Sequence, residues 1–125
     1  MNKKKMIIWG REVPLDICLE CYEGEEVLDS QTEALKNLLK SEKAINAAKA
    51  DVEKYIIANN KSAFPSGEMD NIFKYVIPRS IFVPHSKKKQ QAAIFCNYKF
   101  DREHGLALVF ENGKLVKVTS EDCVI

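Results

Sequence analysis

An α+β fold, one antiparallel sheet with helices packed on one face, is the class this sequence predicts. Three patterns carry it: a period-two apolar alternation early in the chain, helical periodicity through the middle, and late alternating strands joined by Asn112-Gly113. No linker, composition shift or internal repeat divides residues 1–125, so a single domain is expected.

The first element reads as a β-hairpin. Met6 to Trp9 form a short apolar run, and Gly10-Arg11 offers a tight Gly-X turn. Val13, Leu15, Ile17, Leu19 and Cys21 then alternate with Pro14, Asp16, Cys18, Glu20 and Tyr22, which turns one strand face toward a core. Pro14 has no N–H to donate, so this part of the strand belongs at an edge or at its start. Gly24, Glu25 and Glu26 end the unit.

Ser30-Gln31-Thr32-Glu33 fits a capping box, which predicts a helix from Ser30 with Leu35, Leu38 and Leu39 on one face. A second helix is expected after Ser41, running to about Asn59, with Ile45, Ala48, Val52, Tyr55 and Ile56 facing inward. Asn59 to Gly67 is a loop. Over 70–77 the sequence supports a short helix from Asp70 through Tyr75, ended by Pro78, with a strand over Ile72 to Ile77 as the alternative. Ile81 to Val83, Ala92 to Phe100 and Leu106 to Phe110 read as strands, and Leu115, Val116 and Val118 as the return strand.

Composition narrows the function. A 46% apolar and 30% charged chain has the balance of a folded protein rather than a disordered one. Lys+Arg total 19 against 18 Asp+Glu, and a net charge of +1 supplies no general attraction to nucleic acid or anionic lipid. The triplets Lys3 to Lys5 and Lys87 to Lys89 read as a solvated terminus and a solvated loop. Met6 to Trp9 is shorter than a secretory apolar core, and no apolar run reaches bilayer-spanning length. The four cysteines are therefore expected as reduced thiols and the protein in the cytoplasm.

Asp101-Arg102-Glu103-His104-Gly105 is the most suggestive cluster. Two carboxylates beside an imidazole can transfer protons or hold a metal. The plainer reading is a polar turn in which Asp101 and His104 bond neighbouring backbone and Gly105 supplies a positive φ. Cys18-Leu19-Glu20-Cys21 has C-x-x-C spacing, but within an alternating strand its thiols point apart, so structural thiols are favoured over zinc or redox chemistry. His85 reads as a surface residue. Trp9, Tyr22, Phe64 and Phe82 are read as core, with an exposed aromatic anchor as the alternative. Nucleophile elbows, phosphate-binding glycine loops and dinucleotide fingerprints are absent from the sequence.

Asn97-Tyr98-Lys99-Phe100-Asp101-Arg102-Glu103-His104-Gly105-Leu106-Ala107, followed by Asn112-Gly113-Lys114-Leu115-Val116, resembles the signature of an uncharacterised bacterial domain-of-unknown-function family. In that family an aromatic residue and an acidic turn precede Glu-His-Gly-Leu, and a short hairpin follows. The stretch from Gln31 to Tyr55 resembles the family's middle. Asp101, Glu103, His104 and Gly105 match the signature positions. Where relatives often carry Trp before the turn and Gly after the leucine, this chain has Phe100 or Tyr98 and Ala107. The family is immunity-like in setting, which implies binding of a cognate, toxin-like protein rather than catalysis.

The expectation is thus a non-enzymatic protein-binding domain with no catalytic residue, no cofactor and no metal. Nucleic acid and membrane are not expected partners. One rival reading is an enzyme or metal protein using Asp101, Glu103 and His104, with His85, Asp122 or Cys123 as a third contributor. Another is a structural or regulatory homodimer joined through a sheet edge.

Overall fold

A computed structural model describes residues 2–21, 24–85 and 91–124. Its strands are β1 (Asn2–Ile8), β2 (Arg11–Leu19), β3 (Val76–Val83), β4 (Gln91–Tyr98), β5 (Leu106–Glu111) and β6 (Lys114–Thr119). Helices α1 (Asp29–Leu39) and α2 (Glu42–Asn59) lie between β2 and β3 in the chain. All six strands form one sheet in the order β1-β2-β3-β4-β5-β6. The fold class is α+β, as the sequence predicts.

The sheet departs from the expected pattern at one pair, since β2 and β3 run parallel while every other pair is antiparallel. The cause is the helical crossover: α1 and α2 carry the chain back along one sheet face, so β3 starts at the end where β2 started. The parallel ladder is short, joining Asp16–Leu19 to 80–83. Pro14 and Pro78 both lie outside it, in the parts of β2 and β3 that need not donate to each other. Pro78 does not end a helix. The segment before it makes a single 3-10 turn, Ile72–Lys74, and the strand begins at Val76. Asn71, rather than Asp70, caps that turn by accepting from Phe73 N at 3.1 Å.

The core lies between the sheet and the two helices. Ile8, Val13, Leu15, Ile81, Ile94, Leu108 and Phe110 meet Ala34, Leu38, Ile45, Ala48, Val52 and Ile56, all buried. The inward positions expected of α2 hold, except that Tyr55 is only half-buried. A smaller cluster of Ala93, Phe95, Ala107 and Val109 occupies the opposite face, with Phe82 stacked on Phe95 at 5.2 Å.

The start of α1 is set by tertiary contacts rather than by Ser30. Leu28 is the N-cap, and its backbone N–H donates to Gln31 Oε1 at 2.9 Å. Gln31 is itself buried, its Nε2 donating to the carbonyls of Glu20 (2.7 Å) and Val83 (3.1 Å). One amide thus ties the helix to the ends of the two parallel strands. The β1–β2 turn also sits one residue earlier than expected, at Trp9-Gly10, with φ of 53° and 82°. Trp9 is held there by α2: its backbone N–H donates to Asn46 Oδ1 at 3.1 Å and its Nε1 to Ile45 O at 2.9 Å. Asn112-Gly113, with φ of 51° and 79°, has the pair of positive φ values that a type I′ turn requires.

Both sheet edges carry exposed lysines. Lys3, Lys4 and Lys5 belong to edge strand β1, with Lys3 reaching Asp16 at 3.8 Å, and Lys114 and Lys117 to edge strand β6. The first triplet is thus strand rather than loose terminus, and its charge opposes edge-to-edge pairing. Lys87 to Lys89 and Tyr22 lie outside the described residues.

Candidate functional site

The β4–β5 connection, which carries Asp101 to Gly105, has one inner and one outer flank. On the inner flank, the exposed His104 is tied to Asp101 by Nδ1 at 3.0 Å, and Asp101 Oδ1 also accepts from His104 N at 3.2 Å. Gly105 N donates to Asp101 O at 2.9 Å, closing the turn. The carboxylate of Asp101 holds the His104 imidazole above its ordinary pKa, first through the hydrogen bond and then through its charge. Glu103 is exposed.

Beneath this turn lies a group that the sequence did not single out. Glu121, in the 3-10 turn Glu121–Cys123, is 9% exposed, and its backbone N–H donates to His104 O at 3.0 Å. Its Oε1 pairs with Arg79 Nη2, while its buried Oε2 has no hydrogen-bond partner among the described residues. Burial raises the Glu121 pKa, and the Arg79 charge opposes that rise without cancelling it. Gly105, at φ +65°, makes room for this carboxylate: a Cβ there would sit 2.1 Å from Glu121 Oε2 and 3.0 Å from Cys96 O. The glycine is required by conformation and by space at once.

The other proposed contributors lie in different surroundings. Asp122 is exposed and is held low chiefly by a hydrogen bond from Ser120, with His104 a weaker influence. Cys123 is exposed, with Sγ 3.4 Å from Ser120 Oγ. His85 is not a loose surface residue, because its side chain keeps only 12% exposure near Glu25 and its N–H donates to Glu20 Oε1 at 3.0 Å. Its partner Glu20 is the residue whose carbonyl Gln31 also holds. Cys18 and Cys21 are both exposed, and Cys21 Sγ donates to Glu25 O at 2.8 Å. No group of three or more His, Cys, Asp or Glu side chains is placed to hold a metal ion among the described residues.

On the outer flank is an open cleft of about 470 Å³, within the size range of ligand pockets. Phe73 and Tyr75, both half-buried, and the largely buried Tyr98 line it with aromatic residues, Lys74, Lys99 and Arg102 with cations, and Ile77 and Asn97 from β3 and β4. The register Val76↔Tyr98 and Ile77↔Asn97 brings the two chain segments together. Lys99 N donates to Tyr75 O at 2.8 Å, and the Lys99 ammonium sits 5.6 Å from the Tyr75 ring centre. Tyr75 stacks on Phe100 at 5.6 Å, and the Tyr98 hydroxyl accepts from Asn60 Nδ2 at 2.9 Å, so the wall is braced from behind. Ile77 is 46% exposed. Sequence reasoning missed this cleft: Lys99 and Arg102 beside Tyr98 and Phe100 are visible as a basic-aromatic run, but Lys74 and Tyr75 join them only through strand register.

A six-stranded α+β sheet with one helical crossover and a cationic, aromatic cleft beside a closed turn describes the class of this domain. The chain belongs to the family described as "Domain of unknown function (DUF6985)", whose model matches residues 2–125. No curated protein and no solved structure matches the chain. No helix is long and apolar enough to cross a membrane among the described residues.

Proposed function

We propose that this domain is a non-enzymatic, cytoplasmic protein-binding module, immunity-like in that it occludes a larger, toxin-like cognate protein. The observation that carries this reading is the cleft, where an exposed Ile77 lies beside the half-buried rings of Phe73 and Tyr75. Rigid aromatic side chains beside cations are the composition of interface hot spots. The Asp101–His104 pair supports the reading from the other side. Each of the two groups is engaged by the other, and Glu103 is exposed.

The test is affinity capture from the producing cells, identification of the bound protein by mass, and reconstitution with that protein purified. A stoichiometric complex weakened by Ile77→Gln is the expected result. Recovery of no reproducible partner, or a complex indifferent to Ile77→Gln, would overturn the reading.

A further inference from the structure

Resting on that reading of the cleft, we infer that the segment it receives is acidic: a short carboxylate-rich stretch of the partner with an apolar side chain for Ile77. The charge balance of the lining is the reason. Of its three cations, Lys74 is already paired with Asp70 at 2.7 Å. Lys99 and Arg102 have no acidic partner among the described residues, and no acid lines the cleft. Asp101 and Glu103 flank Arg102 in sequence: Asp101 is committed to His104, and the exposed Glu103, whose charge also acts on His104, makes no ion pair with Arg102 among the described residues. An unneutralised guanidinium matches a carboxylate with two parallel N–H donors, and an ammonium held over an aromatic ring adds a point charge beside it.

The surroundings set the ligand's size. Asp101 and Glu103 flank Arg102 in the chain, Asp70 holds Lys74 of the same cleft, and the whole protein carries a net charge of only +1. A long phosphate backbone would run onto those acids, whereas a short acidic segment need cover only Lys99 and Arg102. The aromatic wall then takes up the apolar part of the segment, as Tyr and Trp surfaces do at low entropic cost.

The experiment is fluorescence anisotropy on the full chain with a labelled hexapeptide of alternating leucine and glutamate. Its glutamine counterpart, an oligothymidylate, inorganic phosphate and citrate serve as comparisons. Saturable one-to-one binding that weakens with added salt is expected, with affinity falling up to about fivefold in each of Lys99→Gln and Arg102→Gln, the scale of an exposed ion pair. Both variants should melt as the wild type does, since both side chains are exposed. Equal binding of the glutamine peptide, tighter binding of the oligothymidylate, full competition by phosphate or citrate at peptide concentrations, or unchanged affinity in both variants would each overturn the inference. Its failure is separable from that of the protein-binding reading. A captured partner lost on Ile77→Gln but retained by Lys99→Gln and Arg102→Gln leaves the module standing and removes the acidic segment.

Discussion

On the inner flank of the β4–β5 connection, Gly105, Glu121 and Arg79 are packed against one another; on the outer flank, Lys99 and Arg102 stand beside an aromatic wall with no acid against them. The two flanks are a few residues apart in sequence and opposite in what the fold has already used. Inside, Glu121 is paired with Arg79 and His104 with Asp101, and a Cβ on Gly105 meets the Glu121 carboxylate. Outside, the rings are braced and Lys74 is held by Asp70, but Lys99 and Arg102 are free to meet something else. A signature rich in Asp, Glu and His therefore marks architecture here, and the plainer basic-aromatic run beside it offers the recognition surface.

The largest break of this contrast is Gly105→Ala. The new Cβ would collide with the Glu121 carboxylate and hold an L-residue in the left-handed region. A loss of roughly 2–4 kcal/mol of stability is expected from strain and overpacking together, read by urea denaturation. Adding Glu121→Ala to the same chain should relieve the collision with the carboxylate and leave the conformational part and the 3.0 Å approach to Cys96 O. A change within about 0.5 kcal/mol for the single variant, the size of an ordinary surface substitution, would mean the turn is not architectural.

Glu121→Gln sharpens the inner flank through pH. Because burial raises the folded-state pKa of Glu121, its protonated form is the one the fold prefers. That contribution is complete below the ordinary value of 4.5 and is lost as pH climbs through the raised value. The stability of the wild type relative to Glu121→Gln should therefore fall as pH rises from about 4.5. A difference that stays flat, or grows with pH, would show that the Arg79 pairing outweighs the burial.

Asp101→Asn is the smallest of the three. His104 titrates above 6.5 because Asp101 bonds it, so the variant should bring the midpoint down toward 6.5, followed by NMR of the ring protons. The pair supports the fold below 6.5, and that support is lost as pH rises through the higher folded value. An unmoved midpoint would release His104 from its structural role and reopen proton chemistry at the turn.

Much of the fold was legible locally. Asn112-Gly113 dictates its own turn, because both residues tolerate positive φ without help. The start of α2 after Ser41 and its buried stripe follow from apolar spacing alone. Trp9 is the counterexample: an indole at φ 53° is not a local preference, and it exists because Asn46 and Ile45 of α2 hold it. The shift of the α1 start to Leu28 has the same origin, since Gln31 answers to two strand carbonyls as well as to its own helix.

By itself, then, the sequence determined the α+β class, the order of most elements, the two helices and the second hairpin, because periodicity and turn chemistry act between near neighbours. Tertiary structure alone decided the parallel β2–β3 pair, the burial of Glu121 under Gly105 and the union of Lys74 and Tyr75 with Lys99 and Arg102. Each of these depends on strand register and on a crossover that brings distant residues together, and no local pattern encodes which distant backbone will arrive.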